Sequence, residues 1–400
     1  MSEMTATRMA RGATYLVVAG VGLWLASLLW RTSVPHLVTP KLDVDSVFGR
    51  GLVRRTASYE RFLRTDWVLL VVVQLATLLV VLRRSRRLRL GLGPASTGLV
   101  LAAVAVTATW LASLPFGLAA LWWRRRHGVV HESYGAFLAG RAISLAGTAT
   151  AAFVAVGIAF GLAGVLGRRW WLAAAPAATL AVLAFTFAAG LLAGGMSAPA
   201  PLRMEERRLA THEHVAPPRL LVVDAPGGSR AGNAEAVGVD GARRIVLWRT
   251  LLRRPFAPSE VRFVVAHELA HHARRHLWKG LAWFGLLSIP VAWLVGRAAG
   301  DLRAAHAVPA ALVTLAAAQL ALWPLTNAIS RRYEAEADWI ALRTTRDRAA
   351  ARRLFVAFAR AGLQQPDPPA WDYVFLEDHP TLLQRVEQAL SSRRAPPAGS

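Results

Sequence analysis

Two histidines and a glutamate are spaced as His-Glu-x-x-His, at His267, Glu268 and His271. Apolar, helix-compatible residues come directly before them, and residues four apart share one face of a helix. Both imidazoles can therefore bind one metal ion, with Glu268 beside it as a candidate general base. This spacing predicts a zinc hydrolase. The chain has no cysteine, so its metal ligands must be His, Asp or Glu.

The third metal ligand must come from another part of the chain. A metzincin would have a histidine six residues after His271, where this chain has Leu277, so that class of site is excluded. His272 and His276 lie on other faces of the same helix, which we expect to end near His276. We interpret both as polar surface residues. The remaining choice is a carboxylate on a separate helix.

A second short segment, Tyr-Glu-Ala-Glu-Ala-Asp, offers that carboxylate. Glu334 and Asp338 are four residues apart and share a helical face, so Glu334 can bind the metal while Asp338 orients a metal-binding histidine. Glu336 is the competing ligand, but its side chain points about 160° away around the helix. We predict one zinc ion per chain, bound by His267, His271 and Glu334.

Long apolar runs indicate a membrane protein, since 54% of the residues are hydrophobic and the mean hydropathy is +0.36. Most of the runs approach or exceed the ~20 residues that cross a bilayer core. We predict a mainly α polytopic fold with about seven transmembrane helices and a small α+β catalytic domain of the gluzincin type. The seven predicted spans are 13–30, 67–82, 98–123, 142–166, 170–195, 280–299 and 305–328.

The net charge of +23 comes almost entirely from arginine. Because the arginines cluster at the ends of apolar runs, as in 124–126, they indicate contact with a lipid bilayer and exclude nucleic acid as a partner. The positive-inside rule places the polar segments 196–277 and 329–400 in the cytoplasm. The loop 83–97 disagrees, because it carries five arginines and would lie outside. The bias towards arginine and alanine is typical of a high-GC bacterial genome.

These patterns divide the chain into four parts: an N-terminal membrane domain with five spans (1–195), a cytoplasmic catalytic segment (196–277), two further spans (278–328) and a C-terminal catalytic segment (329–400). In the first catalytic segment we expect strands at 219–224, 234–239 and 243–248, the last two forming a hairpin. The metal-binding helix should begin at 257–260. In the last part we expect a helix over 346–364, a loop at 365–370 and a final helix after Pro380.

Several segments resemble motifs of one family. The sequence HELAH, followed by two apolar runs and then RRYEAEAD at 331–338, is similar to the integral-membrane gluzincins of the CAAX prenyl endopeptidase family, whose shorter bacterial relatives are the HtpX heat-shock proteases. The segment 378–385 resembles the family's C-terminal His-Pro-x4-Arg motif. Segments 232–234 and 244–252 resemble its Asn-Ala-x-x-x-Gly strand region, and 126–128 resembles a cytoplasmic-loop motif.

The resemblance implies roles for further residues. His379 would donate a hydrogen bond to the oxyanion, and Arg385 would pair with Asp338 and hold the zinc helix. Asn233 and Ala234 would bind the substrate backbone as an added strand. The implied activity is that of a zinc metalloendopeptidase whose substrate is a C-terminal or lipidated peptide or a membrane protein.

Three alternatives remain open: a quality-control protease of the HtpX type, a non-catalytic membrane protein with a structural zinc site, and a transporter. The predicted spans contain few charged residues, which a transport path usually needs, and this argues against a transporter.

Overall fold

The computed structural model describes residues 16–17, 19–88 and 90–393 of the 400-residue chain. Helices dominate this part of the chain. They are α1 (Ala19–Leu29), α2 (Val44–Phe48), α3 (Arg50–Ser85), α4 (Pro94–Arg126), α5 (Tyr134–Leu166), α6 (Trp171–Leu192), α7 (Ala200–His212), α8 (Pro258–Ala273), α9 (His276–Ala299), α10 (Ala307–Thr345), α11 (Arg348–Gly362), α12 (Ala370–Phe375) and α13 (Leu382–Leu390).

Among the described residues, six helices are long and apolar enough to cross a membrane: α3, α4, α5, α6, α9 and α10. They coincide with the last six predicted spans, which confirms the polytopic, mainly helical fold. The first predicted span, 13–30, falls partly outside the described residues, and α1 is its described portion.

Two of the membrane helices extend well beyond the predicted apolar runs. The helices α3 and α10 contain 36 and 39 residues, so each is more than about 50 Å long, against a bilayer core of about 30 Å. The C-terminal end of α10 therefore protrudes from the membrane region. Glu334 and Asp338 lie on this end, in one continuous helix with the last span.

The described part of the chain also contains six short strands: β1 (Leu37–Val38), β2 (Met196–Ser197), β3 (Arg219–Val223), β4 (Ala234–Val237), β5 (Arg244–Trp248) and β6 (Ser392–Arg393). Four of them form a sheet in the order β2-β3-β5-β4, while β1 pairs with β6. Strands β4 and β5 form the expected antiparallel hairpin, with a turn of 3-10 helix at Asp240–Ala242. The parallel pairing of β3 with β5 makes β4 the terminal strand of the sheet.

One hydrophobic core joins the two catalytic segments. Alternate residues of β3 and β5 are buried in this core together with residues of α8, α11 and α13, and α11 packs against both α8 and α13. The fully buried residues of this core include Ile245, Leu247, Phe263, Val265, Leu354, Phe355 and Val386. Because α8 is enclosed in this way, the metal-binding helix is held rigidly by residues that are distant in the sequence.

A close approach of two glycines fixes the sheet against the membrane helices. Gly190, near the end of α6, faces Gly238 in the turn after β4, and Gly238 adopts a left-handed conformation (φ +73°). A Cβ atom at Gly190 would lie 2.3 Å from the Ala242 carbonyl oxygen, and one at Gly238 would lie 2.2 Å from it. Only glycine therefore allows this contact at both positions.

Candidate active site

The predicted metal-binding residues converge at one point between α8 and α10. The Nε2 atoms of His267 and His271 lie 3.1 Å apart, and the Glu334 carboxylate lies 3.1 Å from the first and 3.5 Å from the second. Tetrahedral zinc with bonds of about 2.0–2.1 Å requires ligand atoms about 3.3 Å apart. The three side chains therefore fit one zinc ion, which they would bind through two imidazole nitrogens and one carboxylate.

A buried carboxylate and a buried guanidinium fix the orientation of His267. Its Nδ1–H donates to Asp338 Oδ1 over 2.9 Å, which leaves Nε2 directed at the metal position. Arg385 donates to both oxygens of Asp338, from Nε and Nη2, over 2.7 Å each. The guanidinium also stacks on the Phe355 ring, 4.5 Å from its centre. A bidentate pair of this kind holds a carboxylate in one position.

Glu268 is placed for proton transfer. Its side chain is buried next to the metal ligands, and burial raises its pKa to about 7, a shift that the charge of His267 opposes. A carboxylate with a pKa near neutrality can both accept and return a proton. The backbone N–H of Ala236 in β4 hydrogen-bonds to this carboxylate, so the terminal strand of the sheet passes beside the glutamate.

His379 reaches the same cluster from the loop between α12 and α13. Its Nε2 lies 3.1 Å from the Glu334 carboxylate, and its Nδ1 donates to Asp378 over 2.7 Å. Burial lowers the pKa of His379, but Glu334 and Asp378 outweigh this effect and raise it to about 10. The sequence assigned no role to Asp378, although its position directly before the histidine was a usable signal.

The two residues predicted to bind substrate lie at the start of the terminal strand. The Asn233 carbonyl accepts a bond from the Trp248 backbone N–H, so Asn233 faces β5 with its backbone. In an antiparallel pair the next residue faces the opposite way. Ala234 and Ala236 therefore direct their backbone groups to the free edge of β4. The Asn233 side chain donates to Glu235 over 3.3 Å.

The interpretation of His272 and His276 as surface residues is wrong, because both are buried. His272 donates from Nε2 to the Arg244 carbonyl of β5, and burial lowers its pKa to about 4. The expected helix end was also wrong. The helix α8 ends at Ala273, Arg275 adopts a left-handed conformation (φ 55°), and His276 begins α9 facing back towards the metal cluster.

Glu336 lies outside the cluster of ligand atoms and is completely buried. As its angle around α10 predicts, it faces away from Glu334. It contacts instead Ser33, Arg274 and His276, which come from three different segments.

Comparisons with known proteins agree with this geometry. Residues 200–393 match peptidase family M48. The curated protein "Uncharacterized metalloprotease YhfN" of Bacillus subtilis (strain 168) is 30% identical over 201 residues, covering 47% of each chain, so the match spans about half the length of that relative. The crystal structure of S. mikatae Ste24p has a TM-score of 0.73 at 15% identity and covers 93% of this chain and 96% of that one.

The family similarity predicted from the motifs is thereby confirmed. The matched residues contain His267 and His271, the three acidic residues of α10 and the His379 loop, while the structural similarity extends over the membrane helices. Residues 200–393 therefore match peptidase family M48, and the chain has the polytopic membrane fold of Ste24p.

Proposed function

We propose that this protein is a membrane-embedded zinc metalloendopeptidase. The observation that carries the proposal is the meeting of two Nε2 atoms and one carboxylate at tetrahedral zinc distances, with Glu268 and His379 beside them. A purely structural zinc site would need neither a buried acid with a pKa near 7 nor an imidazole on its accessible side. His379 has 42% of its side chain exposed, so substrate can reach this side of the cluster.

Each side chain of the site has a separate role in peptide hydrolysis. A bound zinc ion would supply Lewis acidity, which lowers the pKa of water towards ~7 and polarises the scissile carbonyl. Glu268 accepts the proton of the attacking water and later donates it to the leaving amine. His379 donates from Nε2 to the carbonyl oxygen as this oxygen becomes negative, and Asp378 holds the ring for that task.

Substrate backbone binds along the free edge of β4. An extended peptide placed there hydrogen-bonds to the outward-facing backbone groups of Ala234 and to the carbonyl of Ala236, whose N–H is bonded to Glu268. The contact between Ala236 and Glu268 places such a peptide next to the general base. In this arrangement Asn233 lies at the entrance of the strand, where its side chain can bind a substrate carbonyl or amide.

The substrates we propose are C-terminal or lipidated peptides and membrane proteins. The site lies where α10 leaves the membrane region, so a substrate anchored in the bilayer meets it without diffusing through bulk solvent. We propose that this face is cytoplasmic, since segment 196–277 contains thirteen arginines. The alternative function, a quality-control protease of the HtpX type, would use the same site but would have damaged membrane proteins as its substrates.

Cleavage is tested with the Glu268→Gln variant. Full-length protein with either residue is purified, its zinc content is measured, and membranes containing each are compared by proteomics for peptides that accumulate. We expect the variant to keep one zinc per chain and to lose cleavage, because glutamine cannot accept the proton. Cleavage by the variant would contradict the role of Glu268. A zinc-loaded wild-type protein that cleaves nothing would favour the structural site.

Orientation is tested by labelling, for which the absence of cysteine is an advantage. Thr211 lies near the end of α7, on the side of the catalytic residues, and Ser96 lies in the first turn of α4, at the end of that helix away from them. Both positions are exposed, and each is changed to cysteine in a separate variant. A maleimide that cannot cross membranes should label Ser96→Cys in intact cells and Thr211→Cys only after permeabilisation. The reverse pattern would place the site outside the cytoplasm.

A further inference from the structure

A buried carboxylate that the proposed reaction does not use lies behind the metal cluster. Glu336 is fully buried, and its Oε1 accepts hydrogen bonds from the backbone N–H and the hydroxyl of Ser33, at 2.7 Å each, and from Arg274 Nε at 3.0 Å. Its Oε2 accepts from His276 Nε2 at 3.0 Å, with Lys279 Nζ 3.7 Å away. The two oxygens thus have separate partners.

His276 connects this carboxylate to a metal ligand. Its Nδ1 lies 3.1 Å from Nδ1 of His271, whose Nε2 faces the metal position. Because Nε2 of His271 must be unprotonated to bind a metal, its proton is on Nδ1 and is donated to His276. His276 then carries its own proton on Nε2 and donates it to Glu336. The protons can occupy only this arrangement while the metal is bound.

The surrounding structure holds His276 in this position. The left-handed Arg275 separates α8 from α9 and turns His276 back beneath His271. The His276 ring stacks on Tyr333 with centres 4.7 Å apart and planes inclined by 11°. The Tyr333 hydroxyl accepts a bond from Trp283 and donates to the Leu29 carbonyl at the end of α1. These contacts hold the imidazole against its two hydrogen-bond partners.

We propose that His276 and Glu336 are positioning residues that orient His271 and fix its proton-bearing nitrogen. The proposal rests on the proposed function only in that His267, His271 and Glu334 bind the metal. The two metal-binding histidines are then oriented by carboxylates in two different ways. Asp338 contacts its histidine directly, whereas Glu336 acts on His271 through an inserted imidazole. Groups that orient metal ligands typically change metal affinity by 10–100-fold when they are removed.

The Glu336→Gln variant tests the direction of the two hydrogen bonds that run from His271 to His276 and from His276 to Glu336. The three donors at Oε1 require the amide oxygen there, so the amide NH2 group occupies the Oε2 position and faces the Nε2–H of His276. His276 must then move its proton to Nδ1, where it opposes the Nδ1–H of His271. We expect the zinc dissociation constant, measured by chelator competition on the purified full-length protein, to rise at least tenfold.

Control variants separate this effect from general damage to the fold. Arg274→Gln removes a donor to Oε1 but leaves the bond to His276, and we expect it to change the zinc dissociation constant less than threefold. His276→Phe keeps the stacking on Tyr333 and removes the acceptor for His271, so it should weaken zinc binding as Glu336→Gln does. Because Glu336 acts through His276, adding Glu336→Gln to His276→Phe should weaken binding little further.

The cobalt-substituted protein supplies a spectroscopic reading, since its visible absorption reports the ligand geometry around the metal. We expect the spectrum to change in Glu336→Gln and in His276→Phe but not in Arg274→Gln. Independent, multiplicative losses of zinc affinity in the double variant, or an unchanged spectrum and affinity in Glu336→Gln, would overturn the proposal. Failure of the wild-type protein to bind zinc would instead refute the metal site itself, so the two failures are distinguishable.

Discussion

Replacing Asp338 with asparagine removes one acceptor from a buried network and leaves its shape unchanged. Asp338 Oδ1 accepts from His267 and from Arg385 Nη2, and Oδ2 accepts from Arg385 Nε. Asparagine has only one oxygen. If that oxygen keeps the bond to His267, the amide NH2 group faces the Nε–H of Arg385, and if it turns round, the bond to His267 is lost. Either way a buried guanidinium loses its counter-charge.

The magnitude of the effect follows from burial, because 1% of Asp338 and 8% of Arg385 are exposed. Breaking a buried ion pair by changing one partner costs about 3–5 kcal/mol. We therefore expect a clearly lower melting temperature for Asp338→Asn. Loss of orientation at His267 should weaken zinc binding 10–100-fold, which is about 1.4–2.7 kcal/mol.

The measurement compares thermal unfolding and zinc competition in Asp338→Asn and in Asp224→Asn. Asp224 also pairs with an arginine, Arg249, over 2.6 Å, but 82% of its side chain is exposed, so its pair should contribute at most about 1 kcal/mol. Equal effects of the two substitutions would refute the reasoning. As a further check, Arg385→Met in the Asp338→Asn background should restore part of the stability, because it removes the unpaired charge.

Three further predictions concern the metal, a buried acid and a backbone contact. Glu334→Ala should lose the stoichiometric zinc, and one zinc per chain by elemental analysis would contradict Glu334 as a ligand. Burial raises the pKa of Glu206 to about 7, so the folded protein binds this proton more tightly than the unfolded chain and loses stability as pH rises from about 4.3 to about 7. Glu206→Gln should therefore raise the melting temperature at pH 8 and not at pH 4, and the gain in unfolding free energy at pH 8 should be at most about 4 kcal/mol. An equal gain at both pH values, or the same effect from the exposed Glu235→Gln, would contradict this. Gly190→Ala should lower the melting temperature strongly, because its Cβ meets the Ala242 carbonyl at 2.3 Å, whereas the open position Gly161 should tolerate alanine.

Local spacing was sufficient to predict much of the site. Residues four apart on a helix share a face whatever surrounds the helix, so the sequence could pair His267 with His271 and Glu334 with Asp338. Six apolar runs and the β-hairpin were equally predictable, since length, apolar content and turn residues are local properties. Helix α7 was not predicted, because its short apolar stripe is interrupted by charged residues.

The sequence by itself was enough to predict the metal-binding set, the similarity to a metallopeptidase family and the membrane setting, because each prediction depends on residue spacing or composition. Only the tertiary structure decided that His272, His276 and Glu336 are buried and not solvated. Burial depends on what packs around a helix. Here the sheet, α9 and α10 pack against α8, and the segment after α1, which is distant in the chain, contacts Glu336 on α10. The same packing explains His276. The sequence predicts it on the surface of α8, whereas in the structure it begins α9 and is a hydrogen-bond partner of His271.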